Sequence, residues 1–148
     1  MRGAHESRSR TLGRLLTTMK PDEKKALDVL GKLLVEEVFD QSCRYLQVVI
    51  CRGMRGQKPD PLHEAYASLD DESATVLRRF LLEAVDQTFA QFLHFLDMHE
   101  FPLPVEVESG RIVDLKGVSD GLDAEPYNEG GWIERYSQFK DGITPEPR

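Results

Sequence analysis

The feature that most constrains the fold is the segment DDESATVLRRFLLEAVDQTFAQFLHFLDMHE, residues 70–100. Its apolar residues recur at spacings of three and four, the period of one face of a helix. Asp70 or Asp71 can cap the first turn, and Pro102 and Pro104 end the pattern. We therefore predict a long amphipathic helix whose apolar stripe consists of Leu77, Leu81, Val85, Phe89, Phe92 and Leu96.

A second helical pattern covers residues 21–52, which begin with Pro21, a residue suited to the first helical position. Apolar residues recur at helical spacing up to Ile50, and Gly53 follows as a stop signal. A straight helix of this length would run roughly 48 Å. Because a compact domain of this size has a radius of gyration of only about 15 Å, we expect a bend or break near Gly31 or near residues 40–42, or a helix that projects to a partner.

The remaining elements are shorter. Residues 11–19 and 61–69 have helical patterns, and VEVESGRIVDL (105–115) alternates apolar and polar residues around a turn, which predicts a β-hairpin. A long acidic loop follows at 116–131, and residues 132–139 place three aromatic residues on one helical face. The prediction is a mainly α protein: a small bundle of three to four helices, two of them long, with a C-terminal β-hairpin and a short terminal helix.

The length of 148 residues is typical of a single domain. We predict a disordered lead-in at residues 1–10, one globular domain at 11–140 and a tail at 141–148. No run of about 18 apolar residues indicates a membrane span, and the polar, arginine-rich N-terminus is not a secretory signal.

The two cysteines, Cys43 and Cys51, are eight residues apart on a predicted helix. Their Cα atoms would lie roughly 12 Å apart, whereas a disulfide requires less than about 7 Å. We expect both to be reduced packing residues, which indicates a cytoplasmic protein.

Charge is distributed unevenly along the chain. Residues 1–60 carry 12 Lys and Arg against 8 Asp and Glu, whereas residues 61–148 carry 7 against 18. The acidic part repels nucleic-acid phosphates, so we predict no nucleic-acid partner. A basic protein surface is a better match for it.

The densest group of metal-binding residue types lies in HFLDMHEFPLP, residues 94–104. Helical spacing brings His94 and Asp97 together, and His99 follows at the helix end. With His63, these residues make up a candidate site for a divalent metal. The simpler interpretation is a surface pair, with a histidine at the negative end of the helix dipole. No HExxH or paired ExxH motif supports the metal site.

The C-terminal aromatic residues predict a binding surface. Tyr127, Trp132 and Tyr136 lie among the acidic residues Glu125 and Glu129. Trp and Tyr are favoured anchors in protein interfaces. The alternative is that the short helix docks on its own domain, since eight residues do not form a stable helix alone.

These observations lead to three hypotheses about function. The first is a protein-interaction module, such as an inhibitor or immunity-type partner of a basic protein. It agrees with the lack of a GxSxG sequence or any other catalytic motif, and it requires no cofactor. The second is a metal-dependent helical-bundle enzyme that uses His63, His94, Asp97 and His99. The third is a homodimer formed through the long helix at 21–52.

Overall fold

The computed structural model describes residues 19–53, 56, 58, 60–99, 101–116, 118–119 and 121–143. The predicted lead-in at 1–10, residues 11–18 of the first predicted helix and residues 144–148 of the tail lie outside the described part. The predicted fold class is confirmed: in this described part of the chain, four helices accompany one small antiparallel sheet.

Helix α1 comprises residues 21–52, which stay helical throughout. It is α-helical at Pro21–Leu34, π-helical at Val35–Phe39, α-helical again at Asp40–Tyr45 and π-helical at Leu46–Arg52. No break occurs near Gly31 or residues 40–42, where a bend or break was predicted. Two π-helical segments change the hydrogen-bonding pattern without ending the helix.

Helices α2 (Pro61–Ala67) and α3 (Asp71–Met98) follow. Each is preceded by an aspartate whose carboxylate accepts a backbone N–H: Asp60 from Leu62 and Asp70 from Ser73. This capping satisfies donors that have no partner inside the helix. The predicted bounds of α3 are correct to within two residues.

Helices α1 and α3 pack antiparallel. The rings of Phe39 and Phe89 lie 5.7 Å apart in the middle of the pair. Farther along α1, Cys51 lies beside Tyr66 of α2, and the Tyr66 hydroxyl accepts a hydrogen bond from Arg78 in the early turns of α3. The end of α1 therefore lies beside the start of α3.

The C-terminal segment contains strands β1 (Pro104–Glu106) and β2 (Ile112–Asp114) and helix α4 (Trp132–Tyr136). The strands pair antiparallel, with Val105 opposite Val113. The hairpin is attached to the start of α1 by an ion pair between Arg111 and Asp22.

Residues 103–143 cover one face of the α1–α3 pair. Arg135 binds Asp28 of α1 at 2.8 Å, and the hydroxyl of Tyr127 donates to the backbone carbonyl of Asp86 in α3. Ile143 is buried in the core, so the described start of the predicted tail packs against the domain. Within the described residues, no helix is both long and apolar enough to cross a bilayer.

Candidate functional site

An apolar groove runs between α1 and α3 and is open to solvent. It has a volume of about 550 Å³. We call it the interhelical groove; it is lined by Leu34, Val38, Phe39, Ser42 and Leu46 of α1 and by Leu81, Ala84, Val85, Thr88, Phe89 and Phe92 of α3.

The two hydroxyl groups in the groove are turned into their own helices. Ser42 donates to the carbonyl of Val38 at 2.8 Å, and Thr88 donates to the carbonyl of Ala84 at 2.7 Å. Their donor capacity is therefore already used. As a result, the groove offers an incoming side chain mainly carbon atoms and favours an apolar ligand.

The apolar surface continues from the groove along α3. We call this surface the α3 stripe: Leu77, Phe80, Leu81, Ala84, Thr88, Phe92, Phe95 and Met98. Phe80 is 70% exposed, Met98 66% and Phe92 43%. Large contiguous apolar patches of this kind are typical of surfaces that contact proteins, membranes or ligands.

Charged residues of α3 from Arg79 onward lie on its other side. At about 100° per residue, the α3 stripe occupies one sector of the helix, and Arg79, Glu83, Asp86 and Asp97 lie in a sector roughly opposite. From Phe80 to Met98, the side of α3 that continues the groove therefore carries no charged side chain. A partner surface that carries charge would lose hydration there without gaining an ion pair.

An aromatic cluster forms the C-terminal end of this surface. The ring of Phe95 lies 4.4 Å from that of His99 and 5.4 Å from that of Phe101. All three side chains are exposed. The cluster extends the apolar surface beyond the last turn of α3.

Trp132, a predicted partner-binding residue, lies in the core and is only 1% exposed. Its indole ring covers Gly31, where an added Cβ would come within 2.4 Å of the ring. Trp132 therefore docks α4 on its own domain, which was the alternative to a partner-binding role for this segment.

The other residues of the predicted acidic aromatic surface are distributed around Trp132. Tyr127 is exposed and Tyr136 is half-buried. Glu125 accepts a hydrogen bond from Ser119 at 2.6 Å, and Glu129 is exposed. Burial, together with the nearby Asp86 carboxylate, raises the pKa of Tyr127 well above its usual value.

The candidate metal ligands are held apart. The Nδ1 atom of His63 lies 2.7 Å from the carbonyl oxygen of Ile50, at the end of α1. His94 pairs with Asp123 at 3.2 Å, and His99 contacts the carbonyl of Phe95. Because α2 packs beside Arg78, and His94 lies about 24 Å farther along α3, His63 and His94 are at different ends of the molecule.

Asp97 is half-buried on α3, close to the pair of His94 and Asp123 along the helix. In the part of the chain that the structure describes, no group of three or more His, Cys, Asp or Glu side chains could hold a metal ion. The predicted metal site thus receives no geometric support from the described residues.

The α3 stripe contains five residues that the sequence prediction left out: Phe80, Ala84, Thr88, Phe95 and Met98. The predicted stripe followed a single line along the helix, and it missed Leu93, which is fully buried. The sequence signal that could have identified these residues is the width of the apolar sector of α3. Residues 77–98 have more apolar side chains than one neighbouring helix can cover.

Comparison with protein-family models, with curated proteins and with solved structures found no match to this chain.

Proposed function

We propose that this protein is a protein-interaction module and that it binds a helix of its partner in the interhelical groove. The observation that carries this proposal is the open groove itself, whose polar groups are already hydrogen-bonded. Grooves of this kind bind the apolar face of an amphipathic helix, with contacts from residues spaced three and four apart.

The chemistry of the groove defines the partner helix. An uncharged apolar face fits the groove, because the neighbouring side chains of the α3 stripe carry no charge. The aromatic side chains Phe92 and Phe95 supply large contact areas at the edge of the groove. Buried aromatic side chains contribute strongly to binding in protein interfaces.

Photocrosslinking in cells tests the proposal. A photoreactive benzoylphenylalanine replaces Phe92 in one variant and Ile112 in a control. Ile112 is on the β-hairpin and, at 68% exposed, is more accessible than Phe92. We expect an adduct from position 92 and none from position 112, and peptide mapping should place the adduct on a partner helix with an uncharged apolar face.

The substitution Ala84→Arg supplies a second control, since it puts a charge into the groove from an exposed position. It should abolish the adduct from position 92 without altering the circular dichroism spectrum. Adducts of equal yield from positions 92 and 112, or an adduct that Ala84→Arg leaves unchanged, would contradict the proposal.

A basic protein is the second candidate partner, as in an inhibitor or immunity-type complex. The excess of acidic residues in 61–148 supports it, and exposed Glu106, Glu108 and Glu129 are accessible for charge steering. This candidate predicts a partner whose capture weakens steeply between low and physiological salt. The charge-reversing variant Glu129→Lys should reduce that capture, whereas Ala84→Arg should not.

A further inference from the structure

We propose that the helix bound in the interhelical groove is α3 of a second copy of this chain. Two α1–α3 pairs would then meet on their open faces and form a four-helix bundle around a twofold axis. This inference rests on the proposed helix-binding function of the groove and names its partner. Four-helix bundles bury apolar faces of this kind between antiparallel neighbours.

Five of the eight α3 stripe positions are symmetric about Thr88. Residues Ala84 and Phe92 lie four positions to either side of it, and Leu81 and Phe95 lie seven positions to either side. When two α3 helices cross antiparallel at Thr88, each of these positions faces its counterpart on the other copy. A twofold interface has this self-complementary character.

Side-chain size agrees with the antiparallel register. At the symmetric positions, the N-terminal side of Thr88 has the small Ala84 and the aliphatic Leu81, whereas the C-terminal side has Phe92 and Phe95. Antiparallel pairing places Phe92 of one copy against Ala84 of the other, and Phe95 against Leu81. Parallel pairing would put Phe92 against Phe92 and leave a gap between the two Ala84 side chains.

Charge restricts where two copies can meet. Each chain carries a net charge of −7, so two copies repel each other over most orientations. The α3 stripe has no charged residue, and the charged residues Arg79, Glu83 and Asp97 lie on another side of the helix. The stripe is therefore a surface on which two copies can meet without opposing like charges.

The face formed by the α3 stripe and the adjoining side of α1 is large enough for a stable dimer. The stripe extends about 32 Å from Leu77 to Met98, and two helices side by side are about 20 Å wide. Each copy then contributes about 600 Å², close to the lower limit for a specific interface. Exposed Val38 and Tyr45 of α1 add apolar contact area at the edge of the groove.

The apolar residues that precede α1 reach only part of the groove. Leu12, Leu15 and Leu16 are at most seven residues from Met19, a reach of about 25 Å. Along α1, the distance from Met19 to Leu34 is already about 22 Å, and to Leu46 it is about 40 Å. These three leucines therefore cannot occupy the half of the groove near Leu46.

Light scattering of the full chain across a dilution series tests dimerisation. The expected mass is twice that of the chain. Thr88→Glu places two carboxylates together on the proposed axis and should weaken the dimer by about 100-fold. Gln138→Glu adds the same charge on the covered face, where it keeps its contact with Arg44, and should leave the dimer intact.

Disulfide trapping tests the register. Thr88→Cys should form a covalent dimer under mild oxidation by copper phenanthroline, since the two side chains face each other on the axis. Phe80→Cys should not, because in the antiparallel register the two residues 80 lie on opposite sides of the axis, about 24 Å apart along the helices. Equal trapping of both variants would indicate a parallel pair and overturn the proposed arrangement.

A chain that is monomeric in light scattering, with no trapping at position 88, overturns the inference. The photocrosslinking experiment then separates the two proposals. An adduct between position 92 and another protein, or between position 92 and residues 11–18 of the same chain, shows an occupied groove without a second copy. The absence of any adduct from position 92 means that the helix-binding function itself is wrong.

Discussion

Gly31 lies directly beneath the indole ring of Trp132, so close that a Cβ atom on Gly31 would be 2.4 Å from two ring carbons. The contact joins the middle of α1 to the first residue of α4. An alanine in a helix interior normally stabilises it by about 1 kcal/mol relative to glycine. At residue 31 the indole ring occupies the space that the methyl group needs.

We therefore expect Gly31→Ala to lower the free energy of unfolding by about 1–3 kcal/mol, the usual cost of overpacking a core. Urea unfolding measures the change. Lys25→Ala, at an exposed position of the same helix, is the control and should change stability by less than about 0.5 kcal/mol. A Gly31→Ala variant that is more stable than the natural chain would contradict the observed packing.

Trp132 is the only tryptophan in the chain, which makes its burial directly measurable. Because it is 1% exposed, its fluorescence should be shifted to short wavelength and should resist quenching by acrylamide. Unfolding in urea should restore full quenching. Native quenching as strong as that of free N-acetyltryptophanamide would place Trp132 on the surface, as its predicted role in partner binding requires.

Ser137 and Asp40 form a buried hydrogen bond of 2.6 Å, and Asp40 also accepts the backbone N–H of Gln138 at 3.0 Å. Ser137→Ala removes one of these donors from a carboxylate that water cannot reach. We expect a loss of about 1–3 kcal/mol in the free energy of unfolding.

Ser73→Ala is the matched control for Ser137→Ala, because its hydroxyl also donates to an aspartate, Asp70, but at an exposed site. Its effect should stay below about 0.5 kcal/mol. Equal losses in the two variants would show that burial adds nothing to the contact between Asp40 and Ser137.

Cys43 is buried, and burial, together with the carboxylates of Asp40 and Asp86, raises its pKa to about 12. The reactive thiolate is therefore scarce near pH 8. We expect Ellman's reagent to modify Cys51, which is only half-buried, before Cys43 in the native protein. In urea both thiols should react at the same rate, and a native Cys43 that reacts as fast would contradict this environment.

Burial raises the pKa of Asp86, and the neighbouring Glu83 carboxylate raises it further. In the pH range between the ordinary value near 3.8 and the raised value, the folded state binds more protons than the unfolded state. Stability therefore falls as pH rises through that range. Asp86→Asn removes this loss and should be more stable than the natural chain at pH 7.

The gain from Asp86→Asn should vanish near pH 3, where the aspartate is protonated in both states. Urea midpoints at pH 7 and pH 3 measure the difference. A gain that is the same at both pH values would instead assign the effect to altered packing or hydrogen bonding around Tyr127, whose hydroxyl donates to the Asp86 carbonyl.

The sequence by itself determined the elements that depend on near neighbours. Asp70 and Pro104 bound the region of α3, and the alternation around Gly110 indicates the hairpin, because caps and turns form between residues only a few positions apart. The sequence did not determine that α1 is continuous, because its pattern does not show that π-helical turns keep the helix unbroken.

Only the tertiary structure decided which side of each helix is covered. The apolar sector of α3 is wider than one neighbour can bury, and the periodicity does not show that Leu93 faces the core while Phe80 faces solvent. Likewise, the pattern around Trp132 fits a core residue and a surface anchor equally well. These choices depend on contacts such as that between Asp40 and Ser137, 97 residues apart, which no local pattern contains.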